Sequence, residues 1–459
     1  MKNQFAYSRT GPKYCLLLAL IVRISMDSFD GNPSRRQILK TAVAIGGASA
    51  LSACLNNGGS EPIPSGDPAA KPPRQHAWRE YIRHDKYDNS QLPKHQILLY
   101  VNFDEEGRPS PETRSTLEES LTVLDRGYEW SNEGLLHTIA YSASYFERFD
   151  QSLPEQVTLP QPRALSPFES PTFDTQDAVL HLASDRADVV LEAEQALRGE
   201  RDTANGESVE AQLTDVATID SRRTGFVGAG LPAERQDAEG IPDSNPVPED
   251  SPLFMGFEAG FKGNQATEDY VTIEEGPFSG GTTMALSNLR QRLDDWYEEQ
   301  SFDERVMEMF SPGHAENDLV EGIGSNLEDN SGIDEFVDNI EADAETHGRV
   351  GHAQKAARAN RDAEGNVKLL RRHFESTDDI GSDQSVASLH FPSLQRRVSD
   401  FEEVRRAMNG TDLTQVTPAI RQRVNNGILE YIFVRRRGYF LIPPRRHRSV
   451  PMPQPESSS

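Results

Sequence analysis

The chain has 459 residues, enough for two to four globular units at ~100–200 residues each, and its 36 % apolar share excludes a fully disordered polymer. Its 73 acidic side chains against 47 Lys plus Arg give a net charge of −26, which excludes a general nucleic-acid binder because duplex DNA would repel it. Only nine lysines are present; an acidic, Lys-poor surface that holds water and counterions at high salt reads as halophilic, an ordinary solvated surface being the plainer alternative.

Both cysteines, Cys15 and Cys54, fall in the N-terminal eighth, so the sequence holds no disulfide framework and no CxxC metal site. Ser34-Arg35-Arg36-Gln37-Ile38-Leu39-Lys40 has the twin-arginine pattern of a Tat export signal. The apolar run Thr41–Ala53 behind it has 13 residues, too few to span a bilayer and suited to the hydrophobic region of a signal. It ends in Leu51-Ser52-Ala53-Cys54, which looks like a lipobox. Cleavage before Cys54 would leave its thiol for a diacylglycerol anchor, and two acyl chains suffice for stable attachment. Residues 1–53 are read as this signal, with Arg35 and Arg36 as its recognition pair and Met26 as an alternative start. The expected location is the outer face of the cytoplasmic membrane, held by lipid. A buried helix with accidental arginines is the competing reading.

Residues 54–75, rich in Asn, Gly, Pro, Ser and Ala, predict a flexible tether, with globular structure starting near Trp78. His95–Phe103 (HQILLYVNF) is an apolar run of strand length, and Thr113–Arg126 carries Leu117, Leu121 and Leu124 at helical spacing. Gly134–Phe149 predicts a strand turning into a short helix, and a Pro-rich excursion covers 154–172. Ala178–Ala183 predicts a strand, Ala187–Leu197 a helix and Val216–Gly225 a fourth strand. A second round follows: strand Phe278–Leu289, helix Leu293–Gln300, an acidic surface loop over 311–345, strand Val386–Leu394, helix Asp400–Met408 and closing strand Tyr439–Ile442. Residues 449–459 predict a disordered tail. Strand-helix-strand taken twice is the ferredoxin-like order. The expected fold is α+β: two ferredoxin-like halves at 76–230 and 278–448, antiparallel sheets with helices packed on them, forming a dimeric α+β barrel-like unit. Residues 231–277 connect the halves.

Several motifs are absent: there is no P-loop, no GxGxxG after a strand, no GxSxG elbow and no HExxH. Asn409-Gly410-Thr411 is a glycosylation sequon of the kind that arises by chance. Arg435-Arg436-Arg437 with Arg445, Arg446 and Arg448 is the one basic cluster, suited to an anionic group or to pairing with the acidic surface. Among eleven histidines His352 stands out, because Arg371-Arg372 follows nineteen residues later. A neutral imidazole can bind haem iron from one side, and a guanidinium on the other side can polarise a peroxide because it stays cationic at working pH.

The order of pieces over 78–445 resembles the dye-decolourising peroxidases, a haem peroxidase family of two ferredoxin-like halves. His95–Phe103 is similar to the family's first strand, and Ala178–Leu197 to its strand-helix unit. Gly256-Phe257-Glu258-Ala259-Gly260 sits where the family has GxxDG, ahead of the Gly-rich Pro277–Thr282. His352 with Leu369-Leu370-Arg371-Arg372 is similar to the proximal-histidine and distal-arginine segments. Leu389–Met408 looks like the following strand and helix, and Gly438–Pro444 like the closing GYFxxPP strand. The resemblance implies haem b, with His352 as the proximal iron ligand, Arg371 as the distal arginine, and Gly256 and Gly260 at the cofactor. It also implies hydrogen peroxide and an electron donor as partners.

This sequence departs from the pattern at the GxxDG aspartate, where Ala259 stands; the register starting at Gly260 puts Gly263 there. Losing a positioned acid-base group typically costs ~10²–10⁴ in rate. Glu258 and Asp269 are neighbours, but adjacent positions on a strand or turn point elsewhere. Ser311-Pro312-Gly313-His314 replaces the Gly-Arg pair expected after Trp296, and Arg436 and Arg437 replace the glycines before Gly438. Asp318, Glu321 and Glu341 are the carboxylates near His352 in sequence that would fix its tautomer. Three readings follow: a haem peroxidase, a non-catalytic haem or iron-handling lipoprotein, and a cofactor-free binding lipoprotein on the same fold.

Overall fold

In the computed structural model, which describes residues 62–378 and 384–455, strand β1 (His95–Phe103) is buried on both faces. Ile97, Leu99, Val101 and Phe103 join a core that also holds helix residues, while Leu98 and Tyr100 join a second, separate cluster. That alternation is what a strand in a closed barrel requires. Helix α1 (Pro111–Gly127) starts where the Ser110 hydroxyl accepts the Thr113 amide at 3.1 Å and Pro111 opens the first turn. Its Leu117, Leu121 and Leu124 are fully buried in the first core. Strands β2 (Leu136–Ser142) and β3 (Ala178–Ser184), helix α2 (Ala187–Leu197) and strand β4 (Ala217–Phe226) complete the first half.

The second half repeats the plan with β5 (Thr282–Gln291), β6 (Phe374–Asp378), β7 (Ser385–Gln395) and β8 (Ile432–Ile442). Its helices include α3 (Phe302–Met309), α4 (His352–Ala357) and α5 (Val398–Ala407). Strand order is β4-β1-β3-β2 in the first half and β8-β5-β7-β6 in the second, all antiparallel. Both are the ferredoxin-like order. The halves then exchange edges: β2 pairs with β8 through Ser142–Phe440 and Tyr141–Leu441, and β4 meets β6 at Phe226–Glu375. Eight strands thereby close into a ring, and the sheet edges of the two halves cover each other. At the thinner seam a Cβ on Gly225 would lie 2.3 Å from the Glu375 carbonyl oxygen, so the approach of the two strands needs glycine.

The α+β expectation of two joined ferredoxin-like halves matches this architecture. Helix Ala187–Leu197 and strand His95–Phe103 have the expected bounds. Five expectations are corrected. Strand β5 starts at Thr282 rather than Phe278, because Gly281 turns back to donate to the Phe278 carbonyl. The region 311–345 is not an open acidic loop: it contains helix Pro312–Glu316 and most of helix Ile340–His347, with His314, Ile333 and Ile340 buried and the acids turned outward. Strand β8 reaches back to Ile432, so Arg435, Arg436 and Arg437 are strand residues. The expected tether is packed from Ile63 onward, with Lys71, Gln75 and His76 buried. Residues 449–455 are not a disordered tail, since Val450 is buried in the first core and its amide donates to the Tyr141 hydroxyl at 2.9 Å.

The export signal with Arg35, Arg36 and Cys54, and residues 456–459, lie outside the described residues. Among the described residues no helix is long and apolar enough to cross a membrane.

Candidate functional site

A cavity of about 230 Å³ lies in the second half, between the outer face of its sheet and its helices. At ~10–15 Å³ per water that is room for on the order of fifteen waters. The floor is one face of the sheet, set by the period of two: Ser287, Leu289 and Gln291 from β5, Leu389 and Phe391 from β7. Helix α4 contributes His352, Ala353, Ala356 and Ala357, and α5 contributes Phe401, Val404 and Arg405 with Met408 at its C-cap. These spacings are single helical faces. Loop residues Met255, Phe257, Phe261 and Leu369 make much of the remaining wall apolar.

His352 opens α4 because Gly351 lets that helix sit hard against the end of α3. A Cβ at Gly351 would lie 1.7 Å from the Phe310 carbonyl oxygen, and the Gln354 amide donates to that same oxygen. Among the described residues the His352 ring has no hydrogen-bond partner. Its pKa is held at about 3, by burial first and then by Lys355, Arg371 and Arg405, so the imidazole is neutral and keeps a lone pair for a ligand. Asp318, Glu321 and Glu341 are not among the charges that act on it, so the sequence-neighbour argument for a tautomer-fixing carboxylate fails.

Arg371 reaches the same cavity from the two-residue strand Leu370–Arg371, which pairs with β7. The Gln265 side chain pins it: Gln265 Oε1 accepts from the Arg371 amide at 3.0 Å and from Nε at 3.2 Å, while Gln265 Nε2 donates to the Arg371 carbonyl at 3.0 Å. Nη2 donates to the Asn264 carbonyl at 3.3 Å. Burial lowers its pKa only to about 10, so it stays cationic. Among the described residues no carboxylate is ion-paired with Arg371, and its charge is left for whatever enters.

Three carboxyls line the wall. Asp334 is paired with Arg361. Glu258 is half-buried, and burial together with Asp85 and Asp250 raises its pKa. The structure therefore corrects the expectation that Glu258 points away from the cavity; the turn places its side chain on the wall. Asp269, the other neighbour considered, is at the surface in an ion pair with Arg74. The third carboxyl, Glu375 on β6, was not singled out from the sequence, where it is a lone acid in a buried strand. It accepts from the Phe254 amide at 2.8 Å and from Gln291 Nε2, and burial lifts its pKa to about 8.

Gly260 lies on the wall, with φ +87°, but Gly256 does not; a Cβ there would lie 2.8 Å from Tyr297 Oη. Four of the six arginines of the cluster are in ion pairs, Arg437 with Glu169, Arg436 with Asp174, Arg445 with Asp125, and Arg448 with Glu118 and Asp125, while Arg446 donates to the Pro277 and Ser279 carbonyls. Asn409 is buried and its Nδ2 donates to the Leu165 carbonyl, so the sequon is closed in the folded chain. A second, more polar cavity of about 510 Å³ shares Glu258, Gly260, Phe261, Arg371 and His373 with the first.

Among the described residues, five buried polar atoms on the first cavity's wall have no partner: Ser287 Oγ, Gln291 Oε1, Asn360 Oδ1, His373 Nδ1 and Arg437 Nε. Buried polar groups without partners are uncommon, so these atoms are placed to bond water or a polar-edged occupant of the cavity. Among the described residues no group of three or more His, Cys, Asp or Glu is placed to hold a metal ion.

The model of a family of unknown function, DUF7405, matches residues 93–444. No curated protein matches the chain. Among solved structures, the chain is similar to the encapsulated DyP-type peroxidase of Mycobacterium smegmatis, at 14 % identity and a TM-score of 0.49 over 80 % of this chain and 97 % of that one. It is similar to a dye-decolorizing protein from V. cholerae, at 12 % and 0.47 over 78 % and 96 %. A variant of Rhodococcus jostii RHA1 DypB, in complex with heme, gives 15 % and 0.49 over 78 % and 95 %.

Proposed function

We propose that this chain, which belongs to the DUF7405 family of unknown function, is an exported haem-binding protein that reduces hydrogen peroxide at the cavity holding His352 and Arg371. One observation carries the reading: an unpartnered neutral imidazole and an unpaired guanidinium line the same largely apolar cavity. A single histidine holds iron only where another group fills the metal's remaining positions, as a porphyrin does. The residues fit such a group. The apolar faces of α4, α5 and the sheet suit a flat macrocycle, and the five unpartnered wall atoms suit its polar edge.

Bound there, haem supplies iron that changes oxidation state by single electrons. His352 ligates through its lone pair. Arg371, fixed by Gln265 and Asn264, polarises the peroxide oxygen–oxygen bond with a charge that needs no reorganisation. Glu258, whose pKa is raised by burial and by Asp85 and Asp250, shares the adjoining polar cavity with Arg371, where a carboxyl can take up or give a proton. Overall, hydrogen peroxide takes two electrons from a donor and two protons, giving two waters. Export by the twin-arginine route and a lipid on Cys54 belong to the same proposal; a Cys54→Ser variant should release the protein from membranes.

One observation favours the second reading, a haem carrier without effective turnover: among the described residues no acceptor fixes the other ring nitrogen of His352. The test is an absorption spectrum of the purified chain in multimolar salt with haemin. A sharp Soret band lost in His352→Ala supports the haem site, and a peroxide titration then separates enzyme from carrier. Folded protein with no Soret change sinks both haem readings and leaves a cofactor-free binding protein.

A further inference from the structure

The charges nearest His352 are all positive. Lys355, one turn along α4, is buried with its Nζ against the Met408 carbonyl at 2.8 Å, the Asn426 carbonyl at 2.7 Å and Asn426 Oδ1 at 2.6 Å. Burial first, then Arg405 and Arg358, pulls the Lys355 pKa well below its ordinary value, but three acceptors take all three protons of an ammonium, and it is this geometry that favours the charged form. Arg405 shares the single carboxylate of Glu169 with Arg437, which leaves this trio one positive charge in excess. Arg371 has no counter-ion among the described residues. Against these stand Asp334, neutralised by Arg361, and Glu375, which is protonated at neutral pH. Glu258 is left as the one wall carboxylate with neither an ion-pair partner nor a hydrogen-bonding partner for its side chain. A chain of net charge −26 has thus built a positively charged nest around one neutral imidazole.

We infer that Lys355, Arg405 and Arg371 set the redox balance of an iron porphyrin ligated by His352, favouring ferrous over ferric iron. The inference rests on the haem reading above and deepens it. Adding one electron to ferric iron lowers the charge of the centre by one unit, and fixed cations lining the same low-dielectric cavity stabilise the less positive state. The usual opposing device is a carboxylate or carbonyl accepting the ligand histidine's other N–H, which makes the imidazole a stronger donor and favours the higher oxidation state. His352 has no such partner.

The experiment is a spectroelectrochemical titration of the haem-loaded full chain, with dithionite as electron source, following the Soret band. Arg405→Gln should shift the one-electron balance about tenfold towards ferric iron, ~59 mV in midpoint. Arg405→Lys, which keeps the charge, should hold the wild-type midpoint. Glu169→Gln, which removes the counter-ion of Arg405 and Arg437, should shift the midpoint the opposite way. Lys355→Met should act like Arg405→Gln wherever it folds. The inference is overturned if Arg405→Gln and Glu169→Gln both load haem and leave the midpoint where it was. A wild-type chain that loads no haem overturns the function reading itself, a separate and visible outcome.

Discussion

The Glu375 carboxyl accepts the backbone amide of Phe254 at 2.8 Å, tying barrel strand β6 to the loop that carries Glu258. The bond holds two cavity walls in register, and its acid is protonated through neutral pH. Glu375→Gln keeps an acceptor for Phe254, and a flip of Gln291, whose Oε1 has no partner, supplies an acceptor for the new amide. The variant should stay close to the wild type at pH 5, gain on it by roughly 1.4 kcal/mol per pH unit between the ordinary ~4.5 and the raised value of about 8, and gain nothing further above pH 8. Urea unfolding at the two pH values checks it.

Stability should peak between pH 6 and 7. Burial holds His76, His181, His352 and His373 at about 3 and His95 and His137 at about 4. Their neutral forms belong to the folded state, so their contribution is present above the ordinary 6.5 and is lost as pH falls through that window. Glu375 at about 8 and Glu308 at about 7 act oppositely, contributing fully below ~4.5 and losing that contribution as pH rises through 7–8. Six groups outweigh two on the acid side. Denaturation midpoints at fixed molar salt from pH 4 to 9 should trace the dome, and a flat profile between pH 4 and 6.5 would contradict it.

Arg371→Lys keeps a charge but loses the planar fork that Gln265 and Asn264 hold. In the haem-loaded chain peroxide turnover should fall ~10²–10³-fold, the cost of one positioned donor. The Soret band should persist, because His352 is untouched. Stopped-flow absorbance reads both quantities.

Glu169 is the shared counter-ion of Arg405 and Arg437, whose Nη1 lies 3.0 Å from Glu169 Oε2. Glu169→Ala leaves two buried guanidinium groups without a carboxylate, a loss of ~3–5 kcal/mol. Guanidinium chloride would mask it by screening, so the comparison belongs in urea.

The fold was legible because its elements are locally consistent. His95–Phe103 and Ala187–Leu197 carry their period and their stop signals within the segment itself. The errors arose where tertiary contact decides. Residues 62–75 and 449–455 have linker composition, yet Gln75 and Val450 are buried by partners far away in sequence. At the site, His352 and Arg371 were found through their motif neighbourhood, whereas Glu375 and Glu169 have no local signal. One is a single acid in a strand, the other an acid in a Pro-rich stretch; only the folded chain shows what they face. Strand geometry does not hold at Glu258, because Gly256 and Gly260 both take positive φ and turn the chain between them.

Gln75 has a consequence of another kind. Its side-chain amide accepts the Ile139 amide at 3.0 Å and donates to the Ile139 carbonyl at 3.3 Å and to the Pro443 carbonyl at 2.9 Å. One residue near the start of the described chain therefore grips strand β2 of one half and the end of strand β8 of the other. Tension that reaches Gln75 through the N-terminal segment is divided between the two halves at their seam and loads those bonds together, in parallel. A pull on that end meets the Gly66 amide on the Arg126 carbonyl and Lys71 Nζ on the Tyr128 carbonyl first, and reaches the seam at Gln75 only once these have given way.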